Sequence, residues 1–256
     1  MIIQSILDTD LYKFTTSYAY MKLYPDAEGT FTFNDRDNTE YTEEFLSELR
    51  LALCNMGSLY LSDREKAWCI TNIRFIPQVY WEWLSSFYYD FSKINVELDE
   101  NKHLHIEVTD KLYKVTLYEV PILALVSQLR NKMLGNYINM EEVINRLTPK
   151  ISLSNINGLN FSEFGTRRRF SAAVQEEVIK FIKEHSTYCT GTSNVYFAMK
   201  YGMKAMGTHP HEWFMFHGAI FGYKQANYLS LEDWVNVYDG DLGIALSDTY
   251  TTDVFL

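Results

Sequence analysis

Cysteine is scarce in this chain. Three residues, Cys54, Cys69 and Cys189, are odd in number, scattered, and form no metal-type pair. That usage fits a reducing cytosol. Basic residues are outnumbered, 23 against 33 acidic, for a net charge of -10. Such a balance argues against nucleic acid or an anionic membrane as the main partner, so any anionic ligand needs a local basic cluster. Long apolar runs are missing too: stretches such as Val120 to Val126 are too short to span a bilayer. No cationic leader precedes Asp8 and Asp10, and a soluble cytoplasmic protein is expected. The sequence has no Walker loop, no GxGxxG, no serine elbow and no HExxH. Nucleotide-binding folds of the common kind and lipase-like enzymes are therefore poor candidates.

What is present is a core-sized supply of apolar side chains in 256 residues, enough for one large domain or two modest ones. Nineteen tyrosines and sixteen phenylalanines allow stacking on a planar ring, although aromatic residues mostly fill cores. The first half mixes element types. Asp10 to Leu23 reads as a helix, Thr30 to Phe33 as a strand, and Thr42 to Leu53 as an amphipathic helix. Ser62-Asp63-Arg64-Glu65 is a capping box. Ile94 to Leu98 and Leu104 to Val108 alternate around a polar turn and predict a hairpin, with Leu112 to Val120 as a further strand.

After Pro121 the pattern predicts helices over Ile122 to Leu134 and Met140 to Leu147, and then a rhythm of short strand, polar turn and helix. Asn160 to Phe164 leads to Gly165-Thr166-Arg167-Arg168-Arg169. Thr187 to Thr190 leads to Gly191-Thr192-Ser193-Asn194, Lys204 to Met206 to Gly207-Thr208-His209-Pro210-His211-Glu212, and Leu242 to Leu246 to Ser247-Asp248. Polar residues at the carboxyl ends of strands are where parallel α/β folds keep their ligands. The expected fold is α/β, with an N-terminal α+β domain over 1–120 and part of a parallel α/β barrel over 121–256. About four strands are found where a closed barrel needs eight, so the polypeptide is expected to be a truncated piece of a longer enzyme.

Three arginines in a row before a helix oppose its dipole at roughly 0.3–1 kcal/mol per charge. A bound anion would offset this; equally, Arg167 to Arg169 could be solvated and pair with Glu163, Glu176 or Glu177. Gly191 to Asn194 reads as a ligand loop or as a plain helix cap. Asp248 reads as a ribose ligand, a metal ligand or a cap. The histidines admit three readings. His209, His211 and His217 could hold zinc; His211 could be a base or nucleophile oriented by Glu212 or another carboxylate; or they are buried, hydrogen-bonded core residues.

In order along the chain, Leu7-Asp8-Thr9-Asp10-Leu11-Tyr12-Lys13, Tyr118-Glu119-Val120-Pro121, Phe164-Gly165-Thr166-Arg167-Arg168-Arg169-Phe170, Gly191-Thr192-Ser193-Asn194 and Met206-Gly207-Thr208 with His211-Glu212-Trp213 resemble the nicotinate phosphoribosyltransferases, closest to the bacterial branch with FGTRRR. The resemblance runs from Asp8 to Phe255. It implies an irregular TIM-like barrel of the type II phosphoribosyltransferase kind. The implied reaction is ATP-coupled transfer of phosphoribosyl from phosphoribosyl pyrophosphate to nicotinate, with ATP and Mg2+ as cofactors and a homodimer as the assembly. His211 would be the histidine phosphorylated by ATP. Phe164 would stack on the pyridine ring, and Tyr12 would cover it from the partner subunit. Thr208 would bond nicotinate, and Arg167 would face its carboxylate and the phosphates. Asp248 would contribute to the substrate site. Ser193 stands where nicotinamide-using relatives carry an aspartate, which favours an anionic ring substituent. Family members continue past this length, so the resemblance also implies that this polypeptide alone is inactive. Two alternatives from other classes are a metal-dependent barrel hydrolase using His209, His211 and Asp248, and a non-catalytic fragment retained as an interaction module.

Overall fold

The structure is a computed structural model that describes residues 1–207 and 209–255. Thr208, expected on the substrate, lies outside them. The first helix, α1 (Leu11–Leu23), is unusual in being buried on nearly every side, Lys13 and Thr15 to Ser17 included. A helix buried all round must satisfy its polar groups internally. Accordingly Thr15 and Thr16 donate back to the Tyr12 carbonyl, and Ser17 donates to the Tyr113 carbonyl at 2.5 Å.

Around α1 stand β1 (Glu28–Thr32), α2 (Glu43–Met56), α3 (Asp63–Asn72), α4 (Gln78–Leu84), β2 (Ile94–Leu98) and β3 (Leu104–Lys111). The Ser62 capping box forms, and Thr42 caps α2. β2 and β3 make the expected antiparallel hairpin, with Val96 opposite Ile106, and β1 adds on the far edge of β3 in the order β1-β3-β2. The alternation puts Ile94, Val96, Leu104, Ile106 and Val108 inward.

The strand expected over Leu112 to Val120 is instead helical: α5 (Leu112–Val115) and the start of α6 (Glu119–Met133). Val115 to Tyr118 are four successive buried residues, which a helical turn accommodates and a one-sided strand does not. Pro121 sits in the first turn of α6, where a missing N–H removes no intrahelical bond. α7 (Met140–Asn157) runs past Pro149 and ends at left-handed Gly158.

The parallel part is small. β4 (Phe161–Glu163) and β5 (Cys189–Thr192) pair in parallel across α8 (Ala172–His185). α9 (Val195–Tyr201) then returns the chain to 204–206, which joins as a parallel bridge between Thr192 and Ala205. Gly191 lets that neighbour approach: a Cβ there would stand 2.1 Å from the Lys204 carbonyl oxygen. α10 (His211–Phe221) and α11 (Tyr223–Tyr238) pack together through Trp213, whose indole donates to the Ser230 carbonyl at 2.9 Å. The strand expected over Leu242 to Leu246 does not form; Leu242 has φ of 58°, left-handed backbone that cannot extend a sheet. A final turn is α12 (Thr252–Phe255). One apolar core runs from Ile3 to Tyr238, so α1, α6 and the α10–α11 pair share it. Among the described residues no helix is long and apolar enough to cross a membrane.

Candidate functional site

The N-terminal segment is stitched onto the ends of the parallel strands. Leu11 N–H donates to the Ser193 carbonyl at 2.8 Å, Val195 N–H to Thr9 at 3.0 Å, and Tyr196 N–H to Leu7 at 2.8 Å. This brings Asp8 and Asp10 under the strand ends. Arg169 binds Asp8 with both guanidinium nitrogens, at 2.7 and 2.9 Å, and Asn194 donates to the same carboxylate at 2.8 Å. Asn194 also caps α9 by accepting from Phe197 N–H at 3.0 Å, so the cap reading of that loop holds.

The three arginines separate in role. Arg169 is buried and structural; Arg168 is exposed; Arg167 is half-buried and donates to Glu119 at 3.2 Å. Glu163, Glu176 and Glu177 are occupied elsewhere. Glu163 accepts from Gly165 N–H at 2.6 Å and from Thr192 at 2.5 Å, while Glu176 and Glu177 pair with Lys200 and Lys180. Arg167 and Arg168 lie in a 3-10 turn over Thr166–Arg168, Arg169 follows it in extended backbone, and α8 begins only behind the Ser171 cap. The arginines therefore stand ahead of the cap and outside the first turn of α8, where its dipole acts. Arg167 and Arg168 instead line an open cleft of about 630 Å³ with Arg36, Arg130, Asp35 and Asp37; Asp37 pairs with Arg130 at 2.8 Å, and the four arginines against two aspartates leave the lining net positive.

Ser193 is fully buried, and its hydroxyl donates to Asp10 at 2.6 Å. Burial pushes the Asp10 carboxyl up to about 6, against the opposing hydrogen bonds from Ser193 and Thr166. Next to it, Phe164 stands half-exposed at the end of β4 and Tyr12 is partly exposed at the start of α1. Burial raises the Tyr12 hydroxyl above its ordinary range, and the charges of Lys13, Asp10, Glu119 and Arg167 all reach it.

Lys13 was not singled out from the sequence as a site residue, yet it organises this region. It is wholly buried and bridges two carboxylates, contacting Glu119 and, at 2.5 Å, Glu212; it also donates to Thr116 at 3.3 Å. Burial alone would lower its pKa, but the attraction of Glu119 and Glu212 overcomes this and raises it. Glu119 shows the converse: burial raises it, and Lys13 and Arg167 pull it below the usual carboxylate range. The only sequence signal was a cation three positions into a helix otherwise buried by apolar and small residues.

The histidines take three different environments. His211 opens α10, half-exposed, with Nδ1 3.0 Å from the Thr249 hydroxyl and Nε2 3.7 Å from Asp248. The carboxylate beside its ring is thus Asp248, while Glu212 turns inward to Lys13. His209 is buried against Trp234, with ring centroids 4.3 Å apart, and burial pushes its imidazole down to about 4. His217 is buried between the Trp213 carbonyl at 2.8 Å and Asp233 at 3.0 Å. His209, His211 and Asp248 do not converge. Among the described residues no group of three or more His, Cys, Asp or Glu side chains could hold a metal ion. The hydrolase reading has no ligand set there.

Residues 7–127 match the family model described as the nicotinate phosphoribosyltransferase (NAPRTase) N-terminal domain, and residues 159–256 match that of the NAPRTase family. A curated nicotinate phosphoribosyltransferase of Chromohalobacter salexigens is 39% identical over 257 residues, covering 99% of this chain and 65% of that protein. The Methanosarcina acetivorans protein of the same name is 37% identical, covering 99% and 67%. Among solved structures, nicotinate phosphoribosyltransferase from Porphyromonas gingivalis superposes with a TM-score of 0.96 at 47% identity, covering 99% of this chain and 66% of that one. The Vibrio cholerae structure gives 0.90 at 27%, covering 100% and 62%. The chain spans about two thirds of the length of the relatives it matches.

Proposed function

The chain belongs to the nicotinate phosphoribosyltransferase family, and from that membership we propose that it serves the family's transfer of a phosphoribosyl group from phosphoribosyl pyrophosphate to nicotinate, driven by ATP. The supporting observation is a half-exposed His211 opening α10, whose neighbour Glu212 is linked through Lys13 and Glu119 to Arg167 behind β4. His211 is the proposed phosphoryl acceptor. Its imidazole lone pair attacks the γ-phosphorus, an N–P bond forms, the bond to the ADP oxygen breaks, and the ring loses its proton to solvent. Asp248 beside the ring stabilises the positive charge that grows on it, and the N-terminus of α10 favours the phosphoryl anion.

At the strand ends, Phe164 offers an exposed ring face for nicotinate, and Arg167 offers guanidinium donors for its carboxylate or for phosphate. Ser193 acts here through Asp10: its hydroxyl is committed to that carboxylate, so its influence on the ring substituent is indirect. Thr208 and Asp248 complete the proposed substrate contacts, and 1–120 and 121–256 the proposed domains. The proposed assembly is a homodimer in which Tyr12 reaches the partner's ring; sedimentation of the full-length protein decides it.

The reading is tested by incubating full-length protein with γ-labelled ATP, with and without His211→Asn. Acid-labile label confined to the parent protein is expected. Label retained by the variant removes His211 from the role.

A further inference from the structure

Four alternating charges join the first turn of α10 to the end of β4. Glu212, the neighbour of His211, binds Lys13 at 2.5 Å; Lys13 also contacts Glu119; Glu119 accepts from Arg167 at 3.2 Å. Thr116 holds the other oxygen of Glu212 at 2.5 Å. Lys13 at its centre is excluded from water and Glu119 is one-fifth exposed, hence salt screens the contact between these two weakly. Glu119 and Glu212 also border a cavity of about 420 Å³, which leaves both carboxylates room to reorient.

We propose that Glu212, Lys13 and Glu119 are positioning residues that carry the charge state of His211 to Arg167. The inference rests on the function proposed above. Phosphorylating His211 adds roughly two negative charges one residue from Glu212, as a phosphate monoester would. Adjacent helical residues point apart, so the effect is electrostatic and not a contact. The added negative potential draws the Lys13 ammonium towards Glu212. Glu119 then loses part of its neutralising partner and holds Arg167 more firmly. A guanidinium fixed along one edge presents its remaining N–H groups to an incoming anion in one orientation, so affinity for that anion rises.

The experiment compares parent, Glu212→Gln and Glu119→Gln full-length proteins. Each is scored for label from γ-labelled ATP and for its Kd for phosphoribosyl pyrophosphate before and after labelling. Glu212 is about one-third exposed, so its amide variant keeps the shape of the site. The expected result is a tenfold or greater tightening on phosphorylation in the parent, and less than threefold in both variants at equal label. A merely structural role would shift both Kd values together and leave their ratio intact. Tightening that persists at tenfold in the labelled variants overturns the relay while leaving the phosphohistidine in place. A labelled parent whose affinity does not change overturns it as well. A parent that takes no label overturns the functional reading and the relay with it.

Discussion

The guanidinium of Arg169 lies along the carboxylate of Asp8 with two matched contacts, Nη1 to Oδ1 at 2.7 Å and Nη2 to Oδ2 at 2.9 Å, both side chains being almost wholly excluded from solvent. The pair closes a sequence separation of 161 residues and pins the N-terminal segment to the strand ends. Removing one partner of a buried pair leaves the other charge uncompensated. Arg169→Met is expected to destabilise the protein by about 3–5 kcal/mol on that basis. Arg169→Lys should recover only part of this, since an ammonium cannot make the two-pronged contact. Denaturant unfolding checks both values, and a loss below about 1 kcal/mol for Arg169→Met would contradict the assignment.

At the mouth of the site, Arg167 and Phe164 have separable roles under the proposed function. Arg167→Lys keeps the charge but loses the fork, and should weaken phosphoribosyl pyrophosphate binding by about tenfold or more. Phe164→Ala removes a stacking face of about 0.5–1.5 kcal/mol, which predicts a few-fold loss for nicotinate and little change for phosphoribosyl pyrophosphate. Calorimetric titration of the two ligands against the two variants gives the comparison. Equal losses for both ligands in Phe164→Ala would argue against stacking.

Gly191 has φ of 154° and faces the Lys204 carbonyl oxygen, where a Cβ would stand at 2.1 Å. Backbone cannot yield as a flexible side-chain tip can, so Gly191→Ala must separate β5 from 204–206. A loss of at least about 2 kcal/mol is expected, the mechanism being strain at a backbone position reserved for glycine. The thermal midpoint of the variant measures it.

Much of this architecture was readable because local signals agreed with burial. The Ser62 capping box, the β2–β3 alternation and the Thr42 start of α2 each rest on short-range chemistry that tertiary packing left in place. Leu112 to Val120 failed because mixed apolar and β-branched residues fit either period, and only the surrounding packing decides which. Leu242 to Leu246 failed because left-handed φ at Leu242 is invisible in a run of apolar letters. At the proposed site, the ordered motifs singled out His211, Arg167 and Phe164. They did not reveal that Arg169 is structural, that Ser193 is sealed against Asp10, or that Lys13 joins two carboxylates. Glu119 and Glu212 lie more than a hundred residues beyond Lys13, so that pairing exists only in the fold.

Two buried groups should give the protein opposing pH dependences. Asp10 has a folded pKa of about 6 against an unfolded value of 3.8. Raised in the fold, it contributes stability that is present below pH 3.8 and lost as pH rises through about 6. His209 has a folded value of about 4 against 6.5. Depressed in the fold, it contributes stability that is present above pH 6.5 and lost as pH falls through about 4. Each is worth on the order of 3 kcal/mol across its window, from 1.36 kcal/mol per pKa unit. Between about pH 4 and 6 the native state holds an extra proton on Asp10 while the unfolded chain holds one on His209, so the two slopes cancel. Asp10→Asn should therefore uncover a stability that rises from pH 4 to 6, and His209→Phe one that falls over the same interval. Relative to each single variant, the double variant should lose that slope again. Denaturant midpoints at half-unit pH steps measure all four proteins. Parallel curves would show that neither group titrates as its burial requires.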